Sequence, residues 1–182
     1  MAPHGRRPRR RFASRCGSGL AAARILAASL NAVDPARLLR EHVSCQGSYL
    51  HAGDQILDLD RYQRVILLGI GKAALGMTEA AAALLGQRVD RGFVLTKAGC
   101  LQISPRFEGL LKLYTGGHPM PDRSRSEAAQ AILSQLSELT QADLVIILLS
   151  GGGSALFSLP APGLTLEDLV QTNQLLLDCG AD

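Results

Sequence analysis

Two short apolar runs, each leading into a turn that contains glycine, constrain the fold of this sequence more than any other feature. Residues 65–69 read Val-Ile-Leu-Leu-Gly, and residues 144–149 read Leu-Val-Ile-Ile-Leu-Leu. A continuous apolar run of this length, without polar alternation, is typical of a strand that is covered on both faces. We therefore expect both runs to be buried strands of a parallel sheet.

Strand-like and helix-like segments alternate along the chain. Helices are predicted at 20–29, 36–43, 73–85, 124–139 and 165–178, and further strands at 92–96 and 111–115. Residues 46–54 are polar and predict a loop. The alternation predicts an α/β fold with a doubly wound, mostly parallel sheet, an incomplete Rossmann-like three-layer α/β/α sandwich.

The basic charge of the chain is concentrated at its N-terminus. The sequence has 19 Lys and Arg against 16 Asp and Glu, a formal charge of +3, but six arginines lie within residues 1–15. Residues 16–182 are therefore slightly acidic, and the whole chain has only seven aromatic residues and no Trp, so nucleic-acid binding is not predicted. Residues 1–19 are expected to be a disordered basic extension, with a mitochondrial or plastid presequence or a twin-arginine signal as alternatives.

Cysteine spacing and hydropathy indicate the compartment. The four cysteines are scattered and form no CxxC pair, which favours free thiols in a reducing compartment and predicts neither a metal site nor a disulfide scaffold. No apolar run approaches the roughly 20 residues that a membrane helix needs. We expect a cytoplasmic protein that does not bind membranes, or an organellar one if residues 1–19 are a presequence.

The first apolar run ends in a turn that suits an anion: residues 69–74 read Gly-Ile-Gly-Lys-Ala-Ala. Gly69 and Gly71 allow the backbone to approach a phosphate, and the following helix start offers N–H groups and a partial positive charge. Lys72 adds a full positive charge where the helix dipole opposes it, so an anion bound beside Lys72 would explain its position. The turn is not a Walker A loop, because Ala73 replaces the magnesium-binding hydroxyl.

The same turn also fits GxGxxA, the dinucleotide-binding pattern. The acid expected about 20 residues further on would be Asp90, which precedes the next strand instead of ending it. Lys97 stands at the end of that strand and suits the 2′-phosphate of NADP better than the ribose hydroxyls of NAD. A phosphate site, a dinucleotide site and a plain tight turn all remain open on these residues alone.

The second apolar run ends in three consecutive glycines flanked by serines. Three glycines carry a large ordering cost, so close approach of the backbone to a ligand explains them better than a bare turn does. Such a loop can form a nest of N–H groups, with two hydroxyls as further donors. The candidate binding residues are Ser150, Gly151, Gly152, Gly153 and Ser154.

A third loop lies between a predicted strand and a predicted helix, where residues 116–122 read Gly-Gly-His-Pro-Met-Pro-Asp. Two prolines and two glycines give a rigid loop of defined shape. His118 and Asp122 are candidates for hydrogen bonding or proton transfer. The alternatives are a structural histidine and an aspartate that caps the helix.

Together the three loops resemble the N-terminal domain of the glycerate 2-kinases, whose C-terminal module is called the MOFRL domain. Residues 69–74 followed by Met77 are similar to the GxGKAA…M motif of that family, residues 117–122 to its GHPxPD loop, and residues 149–156 to its LSGGGSAL segment. The resemblance runs from about Arg24 to the end of the chain.

This resemblance implies transfer of the γ-phosphoryl group of ATP to the 2-hydroxyl of D-glycerate, giving 2-phosphoglycerate and requiring Mg²⁺. It implies that Lys72 is catalytically important and that residues 150–154 contribute to the phosphate or substrate pocket. Phosphoryl transfer depends mainly on positioning and charge neutralisation, so we expect Lys72 to act as an electrostatic stabiliser. His118 is a candidate base on the glycerate hydroxyl, and no residue is assigned to a metal.

The resemblance also implies that residues 20–182 are part of an N-terminal domain, without its arginine-bearing remainder and without the MOFRL domain. Because the active site of these kinases lies between two domains, we expect little kinase activity from the 182 residues alone. The expected partners are small molecules, glycerate and ATP. The alternatives are an NADP-type dinucleotide-binding domain of an oxidoreductase and a non-catalytic sugar-phosphate-binding module.

Overall fold

The computed structural model describes residues 15–99, 102–116 and 123–180. Its helices are α1 (Arg15–Ala32), α2 (Pro35–His42), α3 (Ala74–Leu85), α4 (Arg123–Leu136), α5 (Gly153–Leu156) and α6 (Leu166–Asp178). Its strands are β1 (Val43–Gln46), β2 (Tyr49–Ala52), β3 (Gln55–Asp58), β4 (Arg64–Ile70), β5 (Arg91–Lys97), β6 (Leu111–Gly116) and β7 (Asp143–Leu149). The chain divides into two compact units, residues 1–34 and 35–182, and α1 belongs to the first. Within the described ranges, no helix is long and apolar enough to cross a membrane.

The second unit is built on a parallel sheet with the strand order β6-β5-β4-β7. β4 is an inner strand, paired with β7 on one side and β5 on the other. Successive side chains of a strand point to opposite faces. Leu67 accordingly packs in the cluster that contains α3, and Ile66 packs in the cluster that contains α4. This three-layer arrangement confirms the predicted α/β fold.

β7 confirms the strand predicted at 144–149, but the prediction that it is buried on both faces is wrong. Leu148 is 8% exposed and packs on the α3 side of the sheet. Ile147 and Leu149, on the opposite face, are 59% and 65% exposed. The reason is position: β7 is at the edge of the described sheet, and α4 lies over β5 and β6 instead.

Residues 46–54, predicted as a loop, take part in a three-stranded antiparallel sheet of order β1-β2-β3. Its two connections are the dipeptides Gly47-Ser48 and Gly53-Asp54, and the glycines have φ of 61° and 59°. Gly followed by a small polar residue is the pattern of a type II′ hairpin turn, so the sequence did contain this signal. Strands of four residues are too short to add a clear alternation of apolar and polar side chains.

Most helix boundaries agree with the sequence, with two corrections. α1 begins at Arg15, so the disordered extension predicted for residues 1–19 does not include 15–19; a helix once nucleated in an Ala- and Leu-rich segment propagates outward at low cost. Residues 1–14 lie outside the described residues. α4 begins at Arg123 and ends at Leu136, three residues earlier than predicted. The capping box that opens α6 is present, with Thr165 and Asp168 bonded reciprocally.

Candidate functional site

Two loops meet at the carboxyl edge of the parallel sheet: residues 71–73, the Lys72 loop, and residues 150–152, the Ser150 loop. They follow β4 and β7, which are paired up to their last residues, Ile70 opposite Leu149. In an open parallel sheet this edge is where ligands bind. The pairing of two adjacent parallel strands therefore brings together two loops that are about 80 residues apart in the sequence.

Hydrogen bonds lock the two loops to each other. The Ser150 amide donates to the Ile70 carbonyl at 2.9 Å, and the Lys72 amide donates to the Gly151 carbonyl at 3.0 Å. The Ser150 hydroxyl accepts from the Ala73 amide at 3.1 Å and donates to the Ile70 carbonyl at 3.3 Å. Ala73 is the residue that precedes α3, so Ser150 caps the N-terminus of a helix that follows a different strand.

Close packing explains two of the glycines. Gly71 has φ of 118°, and a Cβ at this residue would overlap the carbonyl oxygen and the hydroxyl of Ser150. Gly69 is buried in β4, where a Cβ would overlap the Thr78 hydroxyl and lie 3.1 Å from the Ala74 carbonyl oxygen. The contacts of Gly69 in the structure are thus packing contacts beneath α3.

Lys72 is exposed, and its side chain runs along the Ser150 loop. A Cβ added to Gly152 would lie 3.4 Å from Lys72 Cε and 3.7 Å from Cγ, which are ordinary van der Waals distances, so the lysine stem passes close to Gly152. Gly152 itself is left-handed, with φ of 84°. Within the part of the chain that the structure describes, the Lys72 ammonium has no hydrogen-bond or ion-pair partner.

The backbone donors of the two loops are unequally available. The amides of Lys72, Ala73 and Ala74 are already bonded, to Gly151, to Ser150 and to Gly71. The amides of Gly151 and Gly152 find no acceptor among the described residues. A nest of N–H groups beside a lysine side chain is an arrangement that binds anions. The amides without an acceptor in the described chain are therefore on the Ser150 loop, and the lysine charge is on the Lys72 loop.

The other predicted site residues are placed as follows. Gly153 is buried, and its amide donates to the Ser150 carbonyl at 3.2 Å. Ser154 is exposed in α5. His118 and Asp122 lie outside the described residues, so their roles stay predictions. β6, which leads to them, is separated from β4 by β5.

Sequence reasoning missed one polar side chain near this edge. Thr96 of β5 is fully buried, and its hydroxyl has no hydrogen-bond partner in the described chain. The sequence signal for Thr96 is that it is a single polar residue directly after an apolar run, at the carboxyl end of a predicted strand. Asp90, the candidate acid of a dinucleotide site, accepts a hydrogen bond from the Val65 amide at 2.7 Å, at the opposite, amino edge of the sheet.

Comparison with known proteins relates this chain to one protein family. A family model described as a domain of unknown function, DUF4147, matches residues 21–182. D-glycerate 2-kinase of Thermotoga maritima is 40% identical over 128 residues, which are 69% of this chain and 28% of that protein. Glycerate kinase of Rattus norvegicus is 35% identical over 184 residues, 92% of this chain and 35% of that protein.

One further relative has a different name, and one solved structure superposes on this chain. A putative hydroxypyruvate reductase of Agrobacterium vitis is 37% identical over 118 residues, 65% of this chain and 30% of that protein. The crystal structure of Thermotoga maritima glycerate kinase superposes with a TM-score of 0.67 at 34% identity, covering 88% of this chain and 35% of that one. The chain spans about a third of the length of the relatives it matches. It belongs to the DUF4147 family, the N-terminal domain family of the glycerate kinases.

Proposed function

We propose that this chain supplies the phosphate-binding side of a kinase that transfers the γ-phosphoryl group of ATP to the 2-hydroxyl of D-glycerate, giving 2-phosphoglycerate. One observation carries the proposal: the exposed Lys72 side chain lies against Gly152, beside two amides that have no acceptor in the described chain. The names of the relatives, which include a D-glycerate 2-kinase, support the choice of acceptor.

The catalytic role proposed for the Lys72 and Ser150 loops is electrostatic. Phosphoryl transfer loads negative charge onto the transferred and leaving oxygens, and catalysis comes mainly from donors and charges that are already in place. Lys72 Nζ neutralises charge on the phosphoryl oxygens, and the amides of Gly151 and Gly152 donate to a phosphate oxygen. The hydrogen bonds between the loops hold these groups before the substrate arrives, so little reorganisation is needed.

The described residues do not offer a site for Mg²⁺. No group of three or more His, Cys, Asp or Glu side chains in the described ranges is arranged to hold a metal ion. In this proposal Mg²⁺ enters with ATP, bound to the phosphates, which is how kinases commonly carry it.

His118 and Asp122 are proposed for the acceptor side. The imidazole of His118 is suited to take the proton of the glycerate 2-hydroxyl as the bond to phosphorus forms, since histidine commonly serves as a general base. Asp122 is proposed as a hydrogen-bond acceptor for substrate hydroxyls. Both follow from the resemblance of residues 117–122 to the kinase motif and from the position of that loop after a strand of the same sheet.

A second candidate function is an NADP-type dinucleotide-binding domain, and the relative named as a putative hydroxypyruvate reductase favours it. Against it stands the position of Asp90, whose carboxylate is bonded at the amino edge of the sheet, away from the Lys72 loop. Calorimetric titration of the chain with ATP·Mg²⁺ and with NADPH separates the two. We expect binding of ATP·Mg²⁺ and none of NADPH; the reverse would favour the oxidoreductase.

We further propose that residues 20–182 act as part of a larger catalytic domain, since the chain spans about a third of its relatives. The 182 residues by themselves are then expected to bind nucleotide and to show little turnover. A coupled assay for 2-phosphoglycerate measures this. Turnover at ordinary kinase rates, about 1–100 per second, would contradict the expectation.

A further inference from the structure

Two threonines described in the parallel-sheet unit are fully buried, and only one of them has a hydrogen-bond partner for its hydroxyl among the described residues. Thr78 Oγ1 donates to the Ala74 carbonyl one turn earlier in α3, at 2.7 Å. Thr96 Oγ1 has no partner in the described chain. Buried hydroxyls are rarely left unpaired, because the group loses its bonds to water and gains nothing in return. Valine has nearly the same shape and would avoid this cost, so the hydroxyl of Thr96 requires another explanation.

The strand register places Thr96 beside the Lys72 loop. β4 and β5 are paired with Ile70 opposite Leu95, and the Gly71 amide donates to the Leu95 carbonyl at 3.0 Å. Thr96 is the next residue of β5, so it is level with the start of the Lys72 loop. Thr96 therefore lies at the carboxyl edge of the sheet, where the Lys72 loop begins, and not in the middle of the strand.

The alternation of side chains gives the direction of the hydroxyl. Val94 packs against Ala74 and Leu75 in the first turn of α3. Thr96, two residues further along the strand, projects from the same face and one step closer to the carboxyl edge. It therefore points to the N-terminal end of α3, where the helix has its partial positive charge and where Lys72 adds a full one.

We propose that Thr96 is a binding residue of this site, whose hydroxyl donates a hydrogen bond to a phosphoryl oxygen held by Lys72. The inference rests on the proposed phosphate site and adds a residue from a third strand, β5, to the loops after β4 and β7. A hydroxyl that is unpaired without ligand and paired with it makes phosphate binding more favourable, because binding removes an existing cost. Since Thr96 is closed to solvent, the ligand must displace the atoms that cover it.

The test uses inorganic pyrophosphate as the probe and the 182-residue chain as the protein, with binding measured by calorimetry and Tm by thermal unfolding. Thr96→Val keeps the shape and removes the hydroxyl. We expect pyrophosphate binding to weaken about 10- to 100-fold, the range for one hydrogen bond to a charged group, while Tm stays the same or rises. Thr96→Ser should keep most of the affinity.

Tyr114→Phe is the matched control. The Tyr114 hydroxyl is also buried and unpartnered in the described chain, but its ring packs in the cluster on the opposite, α4 side of the sheet. This variant should likewise leave Tm unchanged or higher, and it should bind pyrophosphate as the wild type does. Equal weakening in Tyr114→Phe and Thr96→Val would overturn the assignment of Thr96.

Two further outcomes separate this inference from the proposed function. If Lys72→Met weakens pyrophosphate binding and Thr96→Val leaves it within twofold of the wild type, Thr96 is not a ligand and the phosphate site stands. If neither variant changes binding, or if the wild type does not bind pyrophosphate, both are wrong. A clear drop in Tm for Thr96→Val would mean that the hydroxyl is used within the protein, which also overturns the inference.

Discussion

Gly71 is the residue on which the contact between the Lys72 and Ser150 loops depends most. Its φ of 118° is unfavourable for any residue with a Cβ, and a Cβ would also overlap Ser150. Gly71→Ala is therefore expected to lower the free energy of unfolding by about 1–3 kcal/mol, the usual cost of a strained backbone.

Gly151→Ala provides the matched comparison in the facing loop. Gly151 does not have a positive φ, and nothing lies within 4 Å of a Cβ built there. Its substitution should change the free energy of unfolding by less than about 0.5 kcal/mol. Urea unfolding of both variants measures the difference, and equal effects would mean that the two loops are not packed as described.

Asp143 is the residue with the clearest dependence on pH. Its side chain is 1% exposed and accepts two hydrogen bonds from Arg64, at 2.7 Å each, and further ones from the amide and hydroxyl of Thr140. The Arg64 guanidinium, followed by the Thr140 amide, holds the pKa of Asp143 well below its usual range. Arg64 and Asp143 are directly opposite in the β4–β7 pairing, so this ion pair also fixes the register of the two strands that carry the loops.

A lowered pKa in the folded state stabilises the fold at pH above the unfolded value, about 3.9 for aspartate, and the contribution is lost as pH falls through the folded pKa. Asp143→Asn should therefore be less stable than the wild type at neutral pH. The difference in free energy of unfolding should be constant above about pH 5 and shrink below about pH 4, in urea titrations at a series of pH values. A difference that stays constant down to pH 2 would show that the carboxylate charge is not involved.

At the scale of elements, α3 is capped by a residue that is not its neighbour in sequence. Ala73 is the N-cap residue of α3, but its side chain cannot accept a hydrogen bond. The Ser150 hydroxyl accepts from the Ala73 amide instead. Ser150→Ala removes this cap and should lower the free energy of unfolding by about 1 kcal/mol, as the loss of an N-cap usually does.

Ser154→Ala is the control for this cap, because Ser154 is exposed and lies four residues further along. It should cost less than about 0.5 kcal/mol. Comparable losses for Ser150→Ala and Ser154→Ala would contradict the role given to Ser150.

What the sequence could predict at this scale depended on how local the cause was. The glycine turns after β4 and β7 are local, since a continuous apolar run and a glycine stand next to each other. The cap of Ser150 on α3 is not local: it exists only because β4 and β7 are neighbours in the sheet, and nothing in either loop alone specifies its partner. The hairpins at Gly47 and Gly53 were local and were still missed, because four-residue strands carry little periodic signal.

At the scale of the whole molecule, strand order decides what is buried. The apolar composition of residues 144–149 predicts a strand correctly, but composition does not tell an inner strand from an edge strand. Ile147 and Leu149 are exposed because β7 is an edge strand of the described sheet and α4 covers β5 and β6 on that face instead. The same order explains the site, because it places the Lys72 loop between the ends of β5 and β7.

In the proposed function Lys72, not another lysine at this edge, holds the phosphates of ATP. Lys97 is the suitable comparison, since it is also exposed at the carboxyl end of a sheet strand and is the lysine that a dinucleotide site would use. Calorimetric titration of ATP·Mg²⁺ into Lys72→Met and Lys97→Met tests the claim most directly. We expect Lys72→Met to weaken binding about 10- to 100-fold, as for the loss of a hydrogen bond to a charged group, and Lys97→Met to bind like the wild type. Weaker binding in Lys97→Met with unchanged binding in Lys72→Met would contradict it.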